Sequence, residues 1–450
     1  MPRLIAKTTR PVSAIALAVG VTAALPAQAQ DATTLIQGVR IEGNQETRSE
    51  TILREITQPT GEALDRVRLE ADLARLYKLN FFDRVDYALE PGLDPARSTL
   101  VVSVKEKQTW MLFPAVTYTS LDGLLLSLNY RKDNLLGTGQ SLGANINLAR
   151  NYYYYLNYAN PWFGEGKTTL DSTLFAQRVW NNLAVGPNAA LPGLIVERQG
   201  FNATVGRPVF GDPVASQWQG ALVVKAERTA LQDFNQAPLS GGALFASGGN
   251  ADLQAIAGAK LTFDSRDLNL NPTSGWFNSA SAEQFVPGLG ASNLTRLKLD
   301  VNRYLPLGGG HTLALGTRVG HLFSASGERI PVYERFFPVV ENAIRGWAEN
   351  PSPEELSRFT LGSSSGDSFA LASAEYRFPI VWILAGALFA DTGLYWDQAK
   401  GNFAWERTRS GYGAGVRVNM PALGALRIDY GMREWDPAGG VLQLAVGHKF

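Results

Sequence analysis

From about Gln108 to the last residue, this 450-residue chain alternates apolar with polar or glycine positions at a period of two. Leu124, Leu126, Leu128 and Tyr130 alternate with Leu125, Ser127, Asn129 and Arg131. Leu142, Ala144, Ile146 and Leu148 alternate with Gly143, Asn145 and Asn147. The pattern returns late in the chain, with Tyr412, Ala414, Val416 and Val418 set against Gly411, Gly413, Gly415, Arg417 and Asn419. Leu426, Ile428 and Tyr430 then alternate with Arg427 and Asp429. A period of two marks strands with unlike faces. Apolar-out, polar-or-glycine-in is what a closed sheet in lipid demands, because every backbone group must be paired and no edge may meet hydrocarbon. With roughly 10 residues per span and a comparable length for each connection, the region after Lys107 holds about sixteen antiparallel strands. The expected fold is an all-β transmembrane barrel.

Composition agrees with that reading. Mean hydropathy is −0.08 and no long apolar run follows the first residues, which excludes a bundle of membrane helices. Barrels survive this test because their strands average out in a sliding window. Charged residues make up 18%, below the roughly 25% of soluble domains. The 45 glycines suit tight turns and inward faces, and the aromatic clusters Tyr152–Tyr155, Tyr158, Trp162-Phe163 and Trp276-Phe277 suit the interfacial belts. The absence of cysteine excludes a disulfide framework and thiolate chemistry. A formal net charge of +0 leaves no footprint for nucleic acid.

Residues 1–29 read as a secretory signal. Arg3, Lys7 and Arg10 precede an apolar stretch, Val12–Leu25, and Ala27-Gln28-Ala29 forms a small-x-small cleavage site before Gln30. Residues 30–107 read as a small α+β domain. Ile36–Asn44 alternates and closes in a Gly-Asn turn. Thr47 or Ser49 caps a short helix through Ile56, and Asp65 caps a second whose apolar face uses Val67, Leu69, Leu73, Leu76 and Leu79. Phe81–Leu89 and Thr99–Val104 supply two further strands, giving the order β-α-α-β-β.

Leu76-Tyr77-Lys78-Leu79-Asn80-Phe81-Phe82 resembles the L-Y-x-x-G-x-F signature of a POTRA domain, with Asn80 in place of glycine. Further matches follow in order: Asp133-Asn134-Leu135-Leu136-Gly137-Thr138-Gly139, Asn160-Pro161-Trp162-Phe163, and Asp264-Ser265-Arg266-Asp267 with Pro272–Gly275. Then come Ile344-Arg345-Gly346-Trp347, Glu375 within Ser373–Pro379, and Phe389-Ala390-Asp391-Thr392-Gly393. Together these resemble the POTRA-plus-barrel superfamily of outer-membrane assembly and translocation proteins, the bacterial surface antigen family, here as a short member with a single POTRA.

The resemblance implies that residues 324–368 form a loop folded into the barrel 108–450, with Arg345 at its tip. Alternation places Glu375 and Asp391 on the lumen face, where they are the expected acidic partners of Arg345. Charges at membrane depth are tolerated only when paired or hydrated. Gly346 turns the backbone, Trp347 and Ile344 flank it, and Phe389 and Gly393 support Asp391. The chain also ends on an aromatic, Phe450, as outer-membrane barrels do.

The implied work is insertion of β-barrel proteins into the outer membrane, or translocation of proteins across it, through a seam between first and last strands. Pro114 lies in the expected first strand, and the pair Gly439-Gly440 precedes the expected last one. Both would weaken pairing there, unless Pro114 sits in a turn before the membrane. Expected partners are the outer-membrane bilayer, an unfolded client barrel or secreted protein, and periplasmic chaperones or accessory subunits at the POTRA domain. The alternative is a passive porin-like or anchoring barrel. Gly362–Gly366 fits G-x-S-x-G, but that motif acts only on a strand-turn-helix elbow. His311, His321 and His448 show no ligand spacing, so neither enzyme chemistry, metal nor cofactor is expected.

Overall fold

The computed structural model describes residues 34–94, 96–119, 123–148, 152–164, 167–181, 194–211, 216–233, 235–242, 244–268, 271–336, 344–347, 366–397, 401, 403, 405, 408–420, 424–433 and 436–446. The expected signal segment, Phe450 and His448 lie outside these residues, as does most of Gly362–Gly366. The chain divides into two compact units, Met1–Asn44 with Ile52–Lys105, and Gln45–Thr51 with Glu106–Phe450.

β1 (Leu35–Glu42) belongs to the first unit, α1 (Ser49–Leu53) has residues in both, and α2 (Arg66–Lys78), β2 (Phe82–Pro91) and β3 (Arg97–Glu106) follow, all but the last residue of β3 in the first unit. The sheet order is β1-β3-β2, with β1 and β3 parallel. Helix α2 begins where the Asp65 carboxylate accepts the Arg68 N–H at 3.0 Å, satisfying one of the free amides of the first turn. It ends before Asn80, whose φ of +63° is left-handed. Asparagine tolerates that region better than other non-glycine residues, which accounts for its standing where a POTRA domain has glycine. Leu69 and Leu76 pack against Ile36, Phe81, Phe82, Val85, Leu100 and Val102. Val67 departs from the expected apolar face: it is 79% exposed, because it lies in the first turn, away from the sheet.

The second unit is one sheet of sixteen strands. They are β4 (Trp110–Thr119), β5 (Gly123–Leu135), β6 (Gln140–Leu148), β7 (Tyr152–Asn160), β8 (Thr169–Asn181), β9 (Leu194–Pro208), β10 (Trp218–Gln232), β11 (Ala251–Asp264), β12 (Gly275–Phe285), β13 (Thr295–Gly308), β14 (His311–Phe323), β15 (Ser368–Val381), β16 (Leu384–Trp396), β17 (Arg409–Met420), β18 (Gly424–Arg433) and β19 (Asp436–Val446). Each strand bonds its sequence neighbour in antiparallel register, and β4 and β19 lie side by side, so the sheet closes on itself. Leu126, Leu128, Leu174, Leu222, Leu299 and Leu388 are exposed on the outer row, as the alternation requires. Asp391, Arg417 and Asp429 are buried on the inner one.

Two sequence expectations change here. The tyrosine run does not form one belt: Tyr154 shares the outer row with Leu156, while Tyr155 turns inward and donates to Gln177 at 3.0 Å. Consecutive strand residues must face opposite ways. Likewise Trp276 faces outward, but Phe277 lies under the Arg266 guanidinium, 4.2 Å from its ring centroid.

Short turns close one end of the strands. In the β5–β6 turn, the buried Asn134 donates to the Thr47 hydroxyl at 2.7 Å and accepts the Gly139 N–H at 2.9 Å. The Gly137 carbonyl accepts from the Arg48 N–H at 2.9 Å and the Thr51 hydroxyl at 2.8 Å. Glu106 fixes the same segment by accepting the N–H groups of Gln45, Glu46 and Thr47 at 3.0, 2.9 and 2.6 Å. In the β11–β12 turn, Arg266 grips Asp264 with two bonds of 2.9 and 2.7 Å, and Asp267 accepts from Thr273 and Ser274.

Candidate functional site

The connection from β14 to β15, residues 324–367, is far too long for a hairpin, and its described parts lie against the inner wall at two places. At the tip, Arg345 is 2% exposed. Its Nε and Nη2 donate to the two oxygens of Asp391 at 2.8 and 2.9 Å, a bidentate fork, and its backbone N–H adds a third bond at 3.0 Å. Nη1 donates to Glu375 at 2.5 Å. The guanidinium carbon also stands 3.7 Å from the Phe389 ring centroid, over its face. Ile344 joins a buried cluster with Phe336, Phe369 and Leu371. Trp347 donates its indole N–H to the Ser410 carbonyl at 2.9 Å, with the Arg409 guanidinium 5.3 Å from its ring.

The wall is shaped to receive this tip. Gly346 has φ +92°, and a Cβ there would meet the Met432 carbonyl at 2.6 Å. A Cβ on Gly411 would stand 1.7 Å from the Arg345 carbonyl, and one on Gly431 would stand 2.3 Å from the Gly346 nitrogen. The inward glycines of β17 and β18 therefore let two backbones approach as only glycine allows. Gly393 has a packing role of its own, since its missing Cβ makes room for Leu371.

Around Arg345 lies a wider ion network. Arg377 and Arg417 both donate to Glu375 at 2.8 Å, and Arg417 also bonds Asp429 at 2.5 Å. Arg427 stands 3.3 Å from Asp429, and Arg345 itself is 3.6 Å from that carboxylate. Alternation marks these four residues as inward-facing, but it does not say which strands meet around one arginine.

A second anchorage was not expected from sequence. The 3-10 turn Val332–Glu334 puts Glu334, 3% exposed, between Arg198 on β9 and Arg296 on β13, with the Arg198 pair at 3.6 Å. These arginines are shared with Glu227 at 2.9 Å and Glu283 at 3.1 Å. Tyr333 bonds Asp252, Arg335 pairs with Asp397, and Phe336 packs edge-on to Phe369 at 4.7 Å. The loop is thus held by the Glu334 carboxylate in a well between arginines of β9 and β13 and by the Arg345 guanidinium in a well between carboxylates of β15 and β16. Charges facing a lumen at membrane depth persist only in such paired arrangements.

The seam differs from expectation in detail. Pro114 is the fifth residue of β4, opposite Leu128, so it lies within the barrel strand and not in a turn before it. Gly439 and Gly440 fall inside β19, which starts at Asp436 and not after the pair. Between the pairings Gly431↔Val441 and Arg433↔Asp436 the register breaks, and the glycines occupy that break. The ring of Tyr430 covers Gly440, where a Cβ would come within 2.2 Å. Trp110, Met111, Leu112 and Phe113 are all at least 40% exposed, so the first half of β4 is apolar on both faces.

A closed sixteen-stranded antiparallel sheet, apolar outside and charged within, with an arginine of its β14–β15 loop bound to the inner wall, defines a membrane-spanning β-barrel. The model of the Omp85 superfamily domain matches residues 134–450, and that of the surface antigen variable number repeat, a POTRA domain, matches residues 34–107. The chain belongs to the Omp85 superfamily. It is 25% identical over 435 residues to the outer membrane protein assembly factor BamA of Nitratidesulfovibrio vulgaris, covering 92% of this chain and 51% of that one. It is 24% identical over 443 residues to the outer envelope protein 80, chloroplastic, of Arabidopsis thaliana, covering 89% and 54%. The chain spans about half the length of the curated relatives it matches. Among solved structures, BamA from Haemophilus ducreyi lacking POTRA domains 1-3 superposes with a TM-score of 0.69 at 19% identity, covering 91% of this chain and 83% of that one. CdiB from Acinetobacter baumannii gives 0.58 at 14%, covering 92% and 73%. At these identities the structural likeness shows a shared fold. The barrel resides in the outer membrane, with the POTRA domain in the periplasm.

Proposed function

We propose that this protein inserts β-barrel clients into the outer membrane, or passes proteins across it, by opening the seam between β4 and β19. The observation that carries this reading is the tethered loop. A passive pore has no use for a buried arginine forked onto Asp391 and bonded to Glu375, whereas a barrel whose wall must open needs a lumen brace that keeps the remaining strands in register. Features of the seam support it. Pro114 removes one ladder donor from β4, the β18–β19 register breaks around Gly439-Gly440, and the exposed Met111 and Phe113 offer apolar contact to an incoming strand. An exposed edge would recruit that strand by β-augmentation. The client's own folding and lipid burial would supply the free energy, so no nucleotide site or metal is required. The client is an unfolded barrel or a secreted protein, and the POTRA domain would receive it or an accessory subunit.

The test is reconstitution of the purified protein in liposomes with a urea-unfolded outer-membrane barrel. Folding is followed by the gel shift between heated and unheated samples. The expected result is faster client folding than in empty liposomes, lost in Arg345→Ala. Equal rates in all three would sink the insertion reading. Ion conductance without client folding would favour the passive pore, for which the polar inner row Asn129, Asn145 and Asn147 already provides a wet wall.

A further inference from the structure

On β13 the even-numbered residues face the lumen, where Arg296 reaches Glu334 and Asp300 pairs with Arg318. The odd-numbered ones face lipid, and Leu297 and Leu299 are 41% and 45% exposed. Arg303 belongs to this outer row. It stands directly opposite Trp276 of β12, its guanidinium carbon 4.7 Å from the indole centroid, with the exposed Leu315 on its other flank. Among the described residues it has the ring contact with Trp276 and no carboxylate within ion-pair distance. Diagonally beside it on the same outer row is Asn278. That amide oxygen accepts the Asn302 backbone N–H at 3.1 Å, which leaves its own N–H groups without an acceptor among the described residues.

A cation and an amide donor on a lipid-facing wall are costly unless lipid itself supplies the anion. The depth is right for a headgroup. Arg303 lies five residues from Gly308 at the short-turn end, about 13 Å along the barrel axis at a rise of roughly 3.3 Å and a tilt near 40°. Its stem allows the guanidinium to reach further toward the rim. Amphipathic aromatics mark the same level on neighbouring strands: Trp218 packs at a tilt against Phe263, ring centroids 4.8 Å apart, and the Tyr376 hydroxyl bonds His311 at 2.7 Å. Short turns close the periplasmic end of such barrels.

We propose that Arg303 and Asn278, with Trp276 as a platform, hold the phosphate of an inner-leaflet phospholipid. The guanidinium fork binds the phosphodiester oxygens in two bonds, the amide donates a third, and the acyl chains lie on Leu299, Leu315 and the outer row above. The phosphate is the recognised group, so both anionic and zwitterionic phospholipids bind.

Native mass spectrometry of the full chain in octyl glucoside, whose sugar headgroup has no phosphate, tests this directly. The probes are dihexanoyl phosphatidylglycerol, dihexanoyl phosphatidylcholine and inorganic phosphate. The wild-type protein is expected to retain one molecule of either lipid, and an excess of inorganic phosphate leaves it bound. Affinity falls about tenfold in Arg303→Gln, the loss of a charge-assisted fork, and severalfold in Asn278→Leu. Gel mobility before and after heating confirms that each variant is folded, and Arg303→Lys, which keeps the charge without the fork, gives an intermediate affinity. Unchanged retention in both Arg303→Gln and Asn278→Leu, or displacement of the lipid by inorganic phosphate, overturns the proposal.

Discussion

Arg345 is one of four arginines, with Arg377, Arg417 and Arg427, facing three carboxylates, Glu375, Asp391 and Asp429. Without Arg345 the wall holds three of each sign, so withdrawing the tip leaves a balanced surface. Arg345→Ala should therefore leave a folded, heat-modifiable barrel while releasing the loop, at a cost at or below the roughly 3–5 kcal/mol of a broken buried pair. Limited proteolysis of the loop checks this, and unchanged protection would reduce the arginine to a bystander. Arg345→Lys keeps the charge but not the fork and should restore protection only in part. Glu106 offers a residue-scale prediction in pH. Burial pushes its carboxyl up, but the N–H groups of Glu46, Thr47 and Gln45 and the Thr47 hydroxyl outweigh that and hold it below the ordinary range. Its contribution is fully present above the usual glutamate pKa of about 4.3 and is lost as pH falls through the lower folded value. Hydrogen exchange at residues 45–47 should accelerate below that point, and Glu106→Gln should show the fast exchange at neutral pH without further acid dependence. At this scale, Arg345, Glu375 and Asp391 could be named from sequence because each sits in a recognisable motif. Glu334 could not. Its partners Arg198 and Arg296 come from strands scattered along the chain, and period two tells only which face each takes.

Among the elements, β17 and β18 show how a repeated glycine on one face becomes a seat. Gly411→Val would drive a side chain into the Arg345 carbonyl, 1.7 Å from where its Cβ begins. We expect loop release comparable to Arg345→Ala with all charges intact, read by the same proteolysis. Protection equal to wild type would show that the tip is held by charge alone. The alternation in Tyr412–Asn419 announced inward glycines, but their purpose stayed hidden because a glycine's sequence context does not reveal what approaches it. Boundaries at the seam are hidden from the sequence for a related reason. Gly439-Gly440 looks like a turn before a strand, yet it lies in a register break within β19, with one glycine covered by the Tyr430 ring. Composition suggests one belt for the tyrosine run of β7, whereas the pleat divides it between lipid and lumen.

On the scale of the molecule, the loop from β14 to β15 ties β9–β13 to β15–β18 through two wells, one closed by the Glu334 carboxylate and the other by the Arg345 guanidinium. Neither well involves β4 or β19 among the described residues, so the seam strands are left out of the brace. The number of strands and the order of the small domain were legible in the sequence because both follow from local period, caps and turn residues. The cross-lumen tie was not, since it depends on barrel closure bringing remote strands together. The most direct test of a working seam is photo-crosslinking in living cells from a reactive residue at Val116 of β4, opposite Leu126. The account predicts that unfolded barrels or a recurring secreted protein are trapped, and that Arg345→Ala reduces the yield. Crosslinks confined to the chain's own β19, unchanged by that substitution, would mean a seam that stays closed and would contradict it.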